Sequence, residues 1–416
     1  MTRGQRASDF DGARPLAPRE PLPGVVETSD SPAVLSRSVI LIFAAACGLS
    51  VANVYYAQPM LDEMARDFAI SPAAIGIVVT ATQIGYALGL LFIVPLGDFL
   101  DRRRLIVTQS VASALALTVV GFAPTAGVLL TGMVAVGLLA VAVQVLVAFA
   151  ASLAAPAERG RIVGTVTSGV VLGILLARFV AGFLADIGGW RSVYLASAFL
   201  TLLMAILLFW VLPRHKTVNA TTSYPKLLRS TVMLLIEEPI LRVRAVFAML
   251  IFATFGVLWT SMVLPLSAPP FFLSHTEVGL FGLAGVAGAL AAGRAGYLAD
   301  RGWEQWTTGI SLALMLAAWI PIAMIGISLW ALIVGVVILD LAVQAIHVTN
   351  QSMILAVRPD AGSRLIGGYM VFYSIGSASG SIASTMVYAW AGWLGVCILG
   401  ATISAVALLF WAATRR

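Results

Sequence analysis

Charge is what this sequence has least of, and residues that do chemistry are nearly as scarce. Only 11% of its residues are Asp, Glu, Lys or Arg, against 60% hydrophobic, and the mean hydropathy is +0.99. A water-soluble fold of that composition would lack the polar surface to cover its core. The two cysteines, Cys47 and Cys397, each sit inside an apolar run, which excludes a disulfide scaffold and leaves isolated buried thiols. No Gly-x-x-x-x-Gly-Lys-Ser/Thr loop occurs, so nucleotide hydrolysis has no phosphate cradle. Of the three histidines, His215 and His275 fall in loops, and no nucleophile is set beside a base. The chain is therefore read as a non-enzyme, without metal or cofactor. Its net charge of +6 would suit a nucleic-acid partner, but the basic residues gather in alternate loops, as orientation in a lipid bilayer requires. No nucleic-acid partner is expected.

What the sequence has in abundance is apolar runs of membrane length. They lie near 36–58, 73–96, 105–123, 126–150, 163–186 and 191–212, then near 243–266, 277–298, 305–327, 329–355, 364–389 and 391–413. At about 1.5 Å per residue, roughly twenty residues cross the hydrocarbon layer, so each run predicts one spanning helix. Twelve spans put both termini on one side. Of the 25 Lys and Arg, only Arg66 and Arg191 occupy one set of loops, Arg178 and Arg294 lie within spans, and the rest fill the tails and the other loops. Both termini are accordingly expected in the cytoplasm. Helix-start signals agree with these limits: Ser71-Pro72 has an N-cap and N1 pattern, and Ser274 with Glu277 forms a capping box.

Residues 1–32, rich in Pro and charge, predict a disordered cytoplasmic tail rather than a cleaved signal. Residues 33–212 form one six-helix half, 213–240 a cytoplasmic linker, and 241–416 the second half. Within the linker, residues 226–237 set Leu228, Val232 and Leu235 on one face, so either a short surface helix or a flexible connection fits.

The two halves are copies. A nearly constant offset relates Asp98 to Asp300, Ser71 to Ser274, Arg161 to Arg364, Gly173 to Gly376 and Trp190 to Trp393. Parallel repeats of this kind place a substrate site near mid-membrane at their seam. The polar turn Val94-Pro95-Leu96-Gly97-Asp98-Phe99-Leu100-Asp101-Arg102-Arg103-Arg104 and its echo Gly296-Tyr297-Leu298-Ala299-Asp300-Arg301 carry a further resemblance. The chain resembles twelve-helix bacterial members of the major facilitator superfamily, near the efflux branches. The family signature Gly-x-Leu-x-Asp-Arg-x-Gly-Arg-Arg is matched by Leu96, Asp98, Arg102 and Arg103, and again by Gly296, Leu298, Asp300 and Arg301; Val94, Phe99 and Asp101 depart from it.

That resemblance implies an all-α membrane fold, two pseudo-symmetric six-helix halves, with Asp98, Arg102, Arg103, Asp300 and Arg301 as charges of a cytoplasmic gate. Glu158 and Asp360 are their expected loop partners; charges that merely set topology are the alternative. It also implies that helices one, four, seven and ten line the cavity. Two features of the proton-antiport branch are missing: Met133 stands where helix four would carry an arginine, and Ile174 follows Gly173 where a proline is usual. The stripe Gly169, Gly173, Ala177, Ala181, repeated as Gly376, Gly380, Ser384, predicts close helix packing.

Polar residues within the spans are few, and so informative. Asp340, Gln344, His347 and Gln351 fall within roughly a 60° arc of helix ten. Asp340 lies near mid-membrane, and with His347 it is the expected proton-coupling pair; a structural hydrogen-bond network is the other reading. Ala142-Val143-Gln144 in helix four is echoed by Ala342-Val343-Gln344 in helix ten, making Gln144 and Gln344 candidate substrate contacts with Gln351. Asn53, Tyr56, Gln58, Gln83 and Trp259 are further cavity candidates, with interhelical bonding equally open. Arg178 is expected to hold a substrate anion or pair with Asp340.

These readings converge on a secondary active transporter in the bacterial inner membrane, acting as a monomer with a small organic substrate, protons and the lipid bilayer as partners. Proton-coupled efflux of a drug or metabolite is the expected direction. Uptake by a symporter or facilitator, or a non-transporting membrane sensor, are the alternatives.

Overall fold

Two of the helices are far too long for one crossing, and both are broken at a glycine. Arg159–Val211 and Gly362–Thr414 each run 53 residues, which as straight rods would extend about 80 Å, more than twice a hydrocarbon layer. The breaks fall at Gly189 (φ 74°) and Gly392 (φ 61°), where a side chain would be strained and glycine is not. Each break is followed by a tryptophan that pins the turn. Trp190 Nε1 donates to Asp67 Oδ2 at 2.8 Å, and Trp393 Nε1 to the Ile322 carbonyl at 3.0 Å. The two-fold repeat thus extends to the turns between helices five and six and between eleven and twelve.

This computed structural model describes residues 36–155, 158–213, 224–285, 301–357 and 362–415. The architecture is all-helical, with no strand among the described residues. Among the described residues eight stretches are long and apolar enough to cross a membrane: Ile77–Gly97, Arg102–Gly121, Ala126–Leu153, Arg159–Val211, Pro239–Leu266, Glu304–Gly326, Leu329–Val357 and Arg364–Thr414. The two broken rods each supply a pair of spans. Arg37–Ala52, continued by a turn and a short 3-10 segment, Gln58–Met60, makes the first span, and His275–Leu280 with Phe281–Ala284 begins the eighth. The result is the twelve-helix arrangement of two six-helix halves.

Local chemistry sets the helix starts. Ser36, Asp101 and Thr125 accept from the backbone N–H groups of Val39, Arg104 and Val128, and Ser274 with Glu277 completes a reciprocal capping box. Ser71 departs from expectation. Its carbonyl accepts two turn bonds, from Ala74 and Ile75, and the second span starts later, at Ile77. The reason is tertiary: Gly76 N–H is held by Thr385 Oγ1 of helix eleven at 3.3 Å. The linker forms a helix over Tyr224–Glu237. Tyr224 Oη donates to the Phe92 carbonyl at 2.7 Å and Arg364 Nη1 donates to Ser230 Oγ at 3.2 Å, so this helix touches both halves. The tail, residues 1–32, lies outside the described residues.

Small residues draw the helices together. A Cβ on Gly173 would stand 2.3 Å from the Gly48 carbonyl oxygen, and one on Gly376 2.0 Å from that of Met249. The small-residue stripes therefore pack helix five on helix one, and helix eleven on helix seven, inside the halves. Other contacts join the halves to each other. Thr80 Oγ1 donates to the Ala378 carbonyl at 2.9 Å, and Thr385 Oγ1 to that of Ala73 at 3.0 Å. Helices five and eight meet where a Cβ on Gly182 would stand 2.0 Å from the His275 carbonyl oxygen, and one on Gly279 2.4 Å from that of Arg178. All these seam contacts lie toward the face opposite the arginine-rich loops. On the basic face a cavity opens between the halves instead, lined by Leu90, Val94, Gln144 and Ala148 from one and by Arg364 and Gly367 from the other. Large apolar side chains such as Trp210, Ile320 and Leu409 are exposed around the bundle, as lipid contact requires.

Candidate functional site

A tryptophan joins the two buried charges at the seam. Phe252, Phe255 and Trp259 recur at three- and four-residue intervals along Pro239–Ser261, so the seventh span presents one aromatic stripe. The Arg178 guanidinium lies 3.9 Å from the centre of the Trp259 ring, 5.0 Å from that of Tyr55 and 5.4 Å from that of Phe255. Its Nε donates to Gln58 Oε1 at 2.6 Å, while Nη2 is buried without a partner among the described residues. Trp259 Nε1 in turn donates to Asp340 Oδ1 at 3.1 Å. Arg178 is 2% exposed and Asp340 5%.

The expected direct pairing of Arg178 with Asp340 is thus replaced by a relay. The face of the indole takes the cation and its N–H takes the anion, so neither charge is buried without compensation. Helices one, five, seven and ten contribute Gln58, Arg178, Trp259 and Asp340, two from each half. Helix eight can come this close because it carries glycines; a Cβ on Gly282 would lie 3.1 Å from that of Arg178, and one on Gly285 3.3 Å from Asp340 Oδ2.

A second polar network continues from this cluster. Tyr55 and Tyr373 share a hydrogen bond of 2.7 Å across the seam, and Phe252 stands edge-on to both Tyr373 and His347, at 4.0 and 5.1 Å. Gln351 Nε2, which can only donate, lies 3.2 Å from His347 Nε2. The imidazole proton is then on Nδ1, which donates to Tyr369 Oη at 2.9 Å. Tyr369 also receives Asn350 Nδ2 at 3.5 Å, and Asn350 Oδ1 receives the buried Arg244 at 3.3 Å. A hydrogen-bonded network of side chains therefore runs from His347 toward the end of helix seven on the basic face, with the Phe252 ring between it and Tyr373.

The remaining predicted residues distribute unevenly. Gln144 donates to Tyr86 Oη at 3.4 Å and lines the basic-face cavity; Gln344 is half-buried one turn beyond Asp340. Asn53 accepts from Ser197 Oγ at 2.7 Å, and Tyr56 stands edge-on to Tyr194, which places both inside the first half. Gln83 lines a lateral groove with Thr80, Ser374 and Ala378. Among the gate charges, Arg102 donates to the carbonyls of Gly97 and Ala148 and to Ser152 Oγ, Arg103 lies over Phe209 and donates to its carbonyl, and Glu158 pairs with Arg161 at 2.8 Å. Arg301 is exposed on the basic face. The Asp98 side chain, Asp300 and Asp360 lie outside the described residues.

A seam of this design, between repeated halves, belongs to proteins that open alternately to either side of a membrane. The sequence model of the Major Facilitator Superfamily matches residues 39–301. The chain belongs to that superfamily. It is 48% identical over 377 residues to the "Uncharacterized transporter YgaY" of Escherichia coli O157:H7, covering 91% of this chain and 95% of that one. It is 30% identical over 409 residues to the "Probable transporter SCO4007" of Streptomyces coelicolor, covering 96% and 91%. Among solved structures, a bacterial homologue of the human lysosomal transporter Spinster, in an inward-facing and occupied conformation, superposes with a TM-score of 0.76 at 16% identity, over 91% of this chain and 96% of that one. This protein is a transporter of the major facilitator type, spanning the membrane several times.

Several residues of the site carry no signal in the sequence of this major facilitator protein. Tyr55, Tyr86, Tyr369 and Tyr373 sit in apolar runs where a tyrosine reads as core, and Arg244 lies at the start of a span among loop-type charges. Only repeat symmetry hints at them, since helices one and seven bring Tyr55 and Trp259 to the seam from corresponding spans.

Proposed function

We propose that this protein is a proton-coupled exporter of a small organic compound in the bacterial inner membrane, with Asp340 as the carboxylate that exchanges the proton. The observation that carries the reading is the buried relay from Arg178 through Trp259 to Asp340. Asp340 is the one buried acid among the described residues, and it sits where the two halves must part. An ionised carboxylate deep in a bilayer costs at least about 2.5 to 3.5 kcal/mol. Protonation or a compensating dipole relieves that cost, so its proton occupancy is tied to what faces it.

Arg178, with N–H groups in excess of its acceptors, is the proposed substrate end of the site, and the aromatic side chains around it receive the apolar body of the substrate. Substrate arriving on Arg178 alters the field at Asp340 through the shared indole; binding of the proton and binding of the substrate then exclude one another, which is the thermodynamic content of antiport. The positive-inside distribution supports a cytoplasmic basic face. A cavity open on that face suits loading from the cell and therefore export. Gln144 and Gln344, from corresponding positions of the two repeats, and Gln351 are the proposed polar contacts along its wall.

The test is flux in proteoliposomes holding the purified protein, with a pH gradient imposed in either sense and a panel of labelled small organic acids, amines and amphiphiles. Movement of a compound opposite to the proton gradient supports export. Movement with the gradient assigns the chain to uptake by symport. Failure of the whole panel to respond to any gradient removes proton coupling.

A further inference from the structure

At the face opposite the basic loops a single histidine spans the seam. His275 begins the eighth helix, in the second half. Its Nδ1 lies 3.0 Å from Asp186 Oδ1 at the end of helix five, and its Nε2 lies 3.2 Å from Asp62 Oδ1 in the short helix Leu61–Asp67; both carboxylates belong to the first half. Asp186 is also fixed by the N–H groups of His275 and Thr276, at 3.0 and 2.8 Å, and by the Thr276 hydroxyl at 2.5 Å.

A carboxylate can only accept, so both ring nitrogens must carry protons for both contacts to be hydrogen bonds. The neutral imidazole has one N–H and leaves one carboxylate oxygen facing a lone pair. We infer that His275, Asp62 and Asp186 form a second proton site, a latch that closes the face opposite the basic loops when His275 takes up a proton from the solution on that side.

The surroundings favour this sign. Besides the two aspartates, Glu63 faces the imidazole from the short helix, although its Oε1 also receives Trp190 N–H at 3.4 Å. Glu277, on the histidine's own helix, is occupied by the N-terminal cap. Arg66 pairs with Asp62 at 3.0 Å and is the cation that touches the cluster among the described residues. Hydrogen bonding to Asp62 raises the His275 pKa above its ordinary value; burial opposes this, and the charges of Asp62, Glu63 and Asp186 assist it. Burial would push the Asp62 pKa up, but the hydrogen bond and charge of His275, with Arg66 behind, hold it below the usual carboxylate range. The His275 side chain is 17% exposed, enough to exchange protons with water on that face and not with the cavity on the other.

Linkage then fixes the direction. When the halves part, His275 leaves both carboxylates and its proton affinity returns to that of a free imidazole, near pKa 6.5 or roughly so. The closed form binds the proton more tightly, so closing takes up a proton. The latch is at full strength below the free-imidazole value and is lost as pH rises through the raised one; at pH low enough to protonate Asp62 it weakens again. Between these limits the closed-to-open ratio changes by about tenfold for each unit by which the carboxylates raise the imidazole pKa. This device is separate from Asp340: it senses acidity on one face and sets how readily that face opens, whatever is carried.

The experiment is a distance measurement across that face. Spin labels at Ser71→Cys and Phe272→Cys, exposed positions in loops of the two halves, are read by electron double resonance in nanodiscs from about pH 5.5 to pH 9. The native cysteines are buried and stay in place. The short-distance population should rise severalfold as pH falls. In an Asp340→Asn background, which takes the proposed coupling site out of the titration, the response should persist; adding His275→Gln there should flatten it and adding Asp62→Asn should reduce it, which separates the latch from the proposed coupling site. A wild-type distribution that does not move with pH overturns the inference. So does a full response in His275→Gln or, if that variant does not fold, one in Asp62→Asn.

Discussion

Tyr55 and Tyr373, 318 positions apart in the chain, face each other hydroxyl to hydroxyl at 2.7 Å across the seam. Each hydroxyl is buried, so opening that end of the seam exchanges this bond for water. One such bond contributes about 0.5 to 1.5 kcal/mol, so Tyr55→Phe should raise the open population at the face opposite the basic loops by roughly two- to tenfold. Tyr373→Phe should do the same, and the double variant should cost little more than either single one, because each leaves the other hydroxyl unpaired. The spin-label distances described above measure it; strictly additive shifts would show that the two hydroxyls act independently.

Arg178 is held by a stack and a hydrogen bond rather than by charge alone. Lysine keeps the charge but cannot lie flat on Trp259 while donating to Gln58, and a desolvated cation–π contact is worth about 2 kcal/mol. Arg178→Lys should therefore lower transport about tenfold or more, with Arg178→Gln lower still. Rates of substrate exchange at equal pH on both sides, normalised to folded protein, provide the check. Full exchange in the lysine variant would show that only the charge matters.

Helix packing inside the halves gives a cleaner stability test. A Cβ on Gly173 meets the Gly48 backbone, which cannot yield as a side chain would, whereas Gly164 has nothing within 4 Å of the corresponding position. Gly173→Val should destabilise the protein by about 1 to 3 kcal/mol or more. Gly164→Ala should stabilise it by about 0.4 to 1 kcal/mol through the unfolded chain. Thermal midpoints in detergent rank the two, and equal midpoints would mean that helices one and five do not approach as closely as described.

Much of this was legible in the sequence, because a bilayer simplifies the code. Runs of about twenty apolar residues can only be spans, and the arginine-rich loops mark one face. Repetition of Gly173 as Gly376 and of Trp190 as Trp393 exposes the two halves. Asp340 and Arg178 stand out because charge within a span is rare. Their relationship was not legible: an ion pair is the simplest expectation, and only the placement of Trp259 between them reveals the relay. Asn53 and Tyr56 show the opposite limit. A polar residue on a buried helix reads the same whether it faces a cavity or, as Asn53 does, a serine in its own half. His275 was passed over as a loop residue, since its partners lie 89 and 213 positions away.

Proton coupling is the prediction that exposes the proposed function most directly, because the arginine usual in helix four of antiporters is replaced by Met133. Some other group must then change protonation between the two access states. Arg178 and Arg244 are too basic to do so, which leaves Asp340 and His347 in the buried network. His347 is already committed, with one nitrogen accepting from Gln351 and the other donating to Tyr369, so a second proton would break the contact with Gln351. Among the described residues Asp340 accepts one bond, from Trp259, and Asn at that position can still accept it through its amide oxygen. Asp340→Asn should therefore keep the fold and the relay to Arg178 while removing the titration. It should abolish accumulation driven by a pH gradient, and leave exchange of substrate between two sides at equal pH within about a factor of three, the scatter expected of a retained hydrogen bond. Parallel flux assays in the two modes decide it. If the Asn variant still concentrates substrate at the expense of the proton gradient, Asp340 is a structural partner of Trp259 and the coupling proton binds elsewhere.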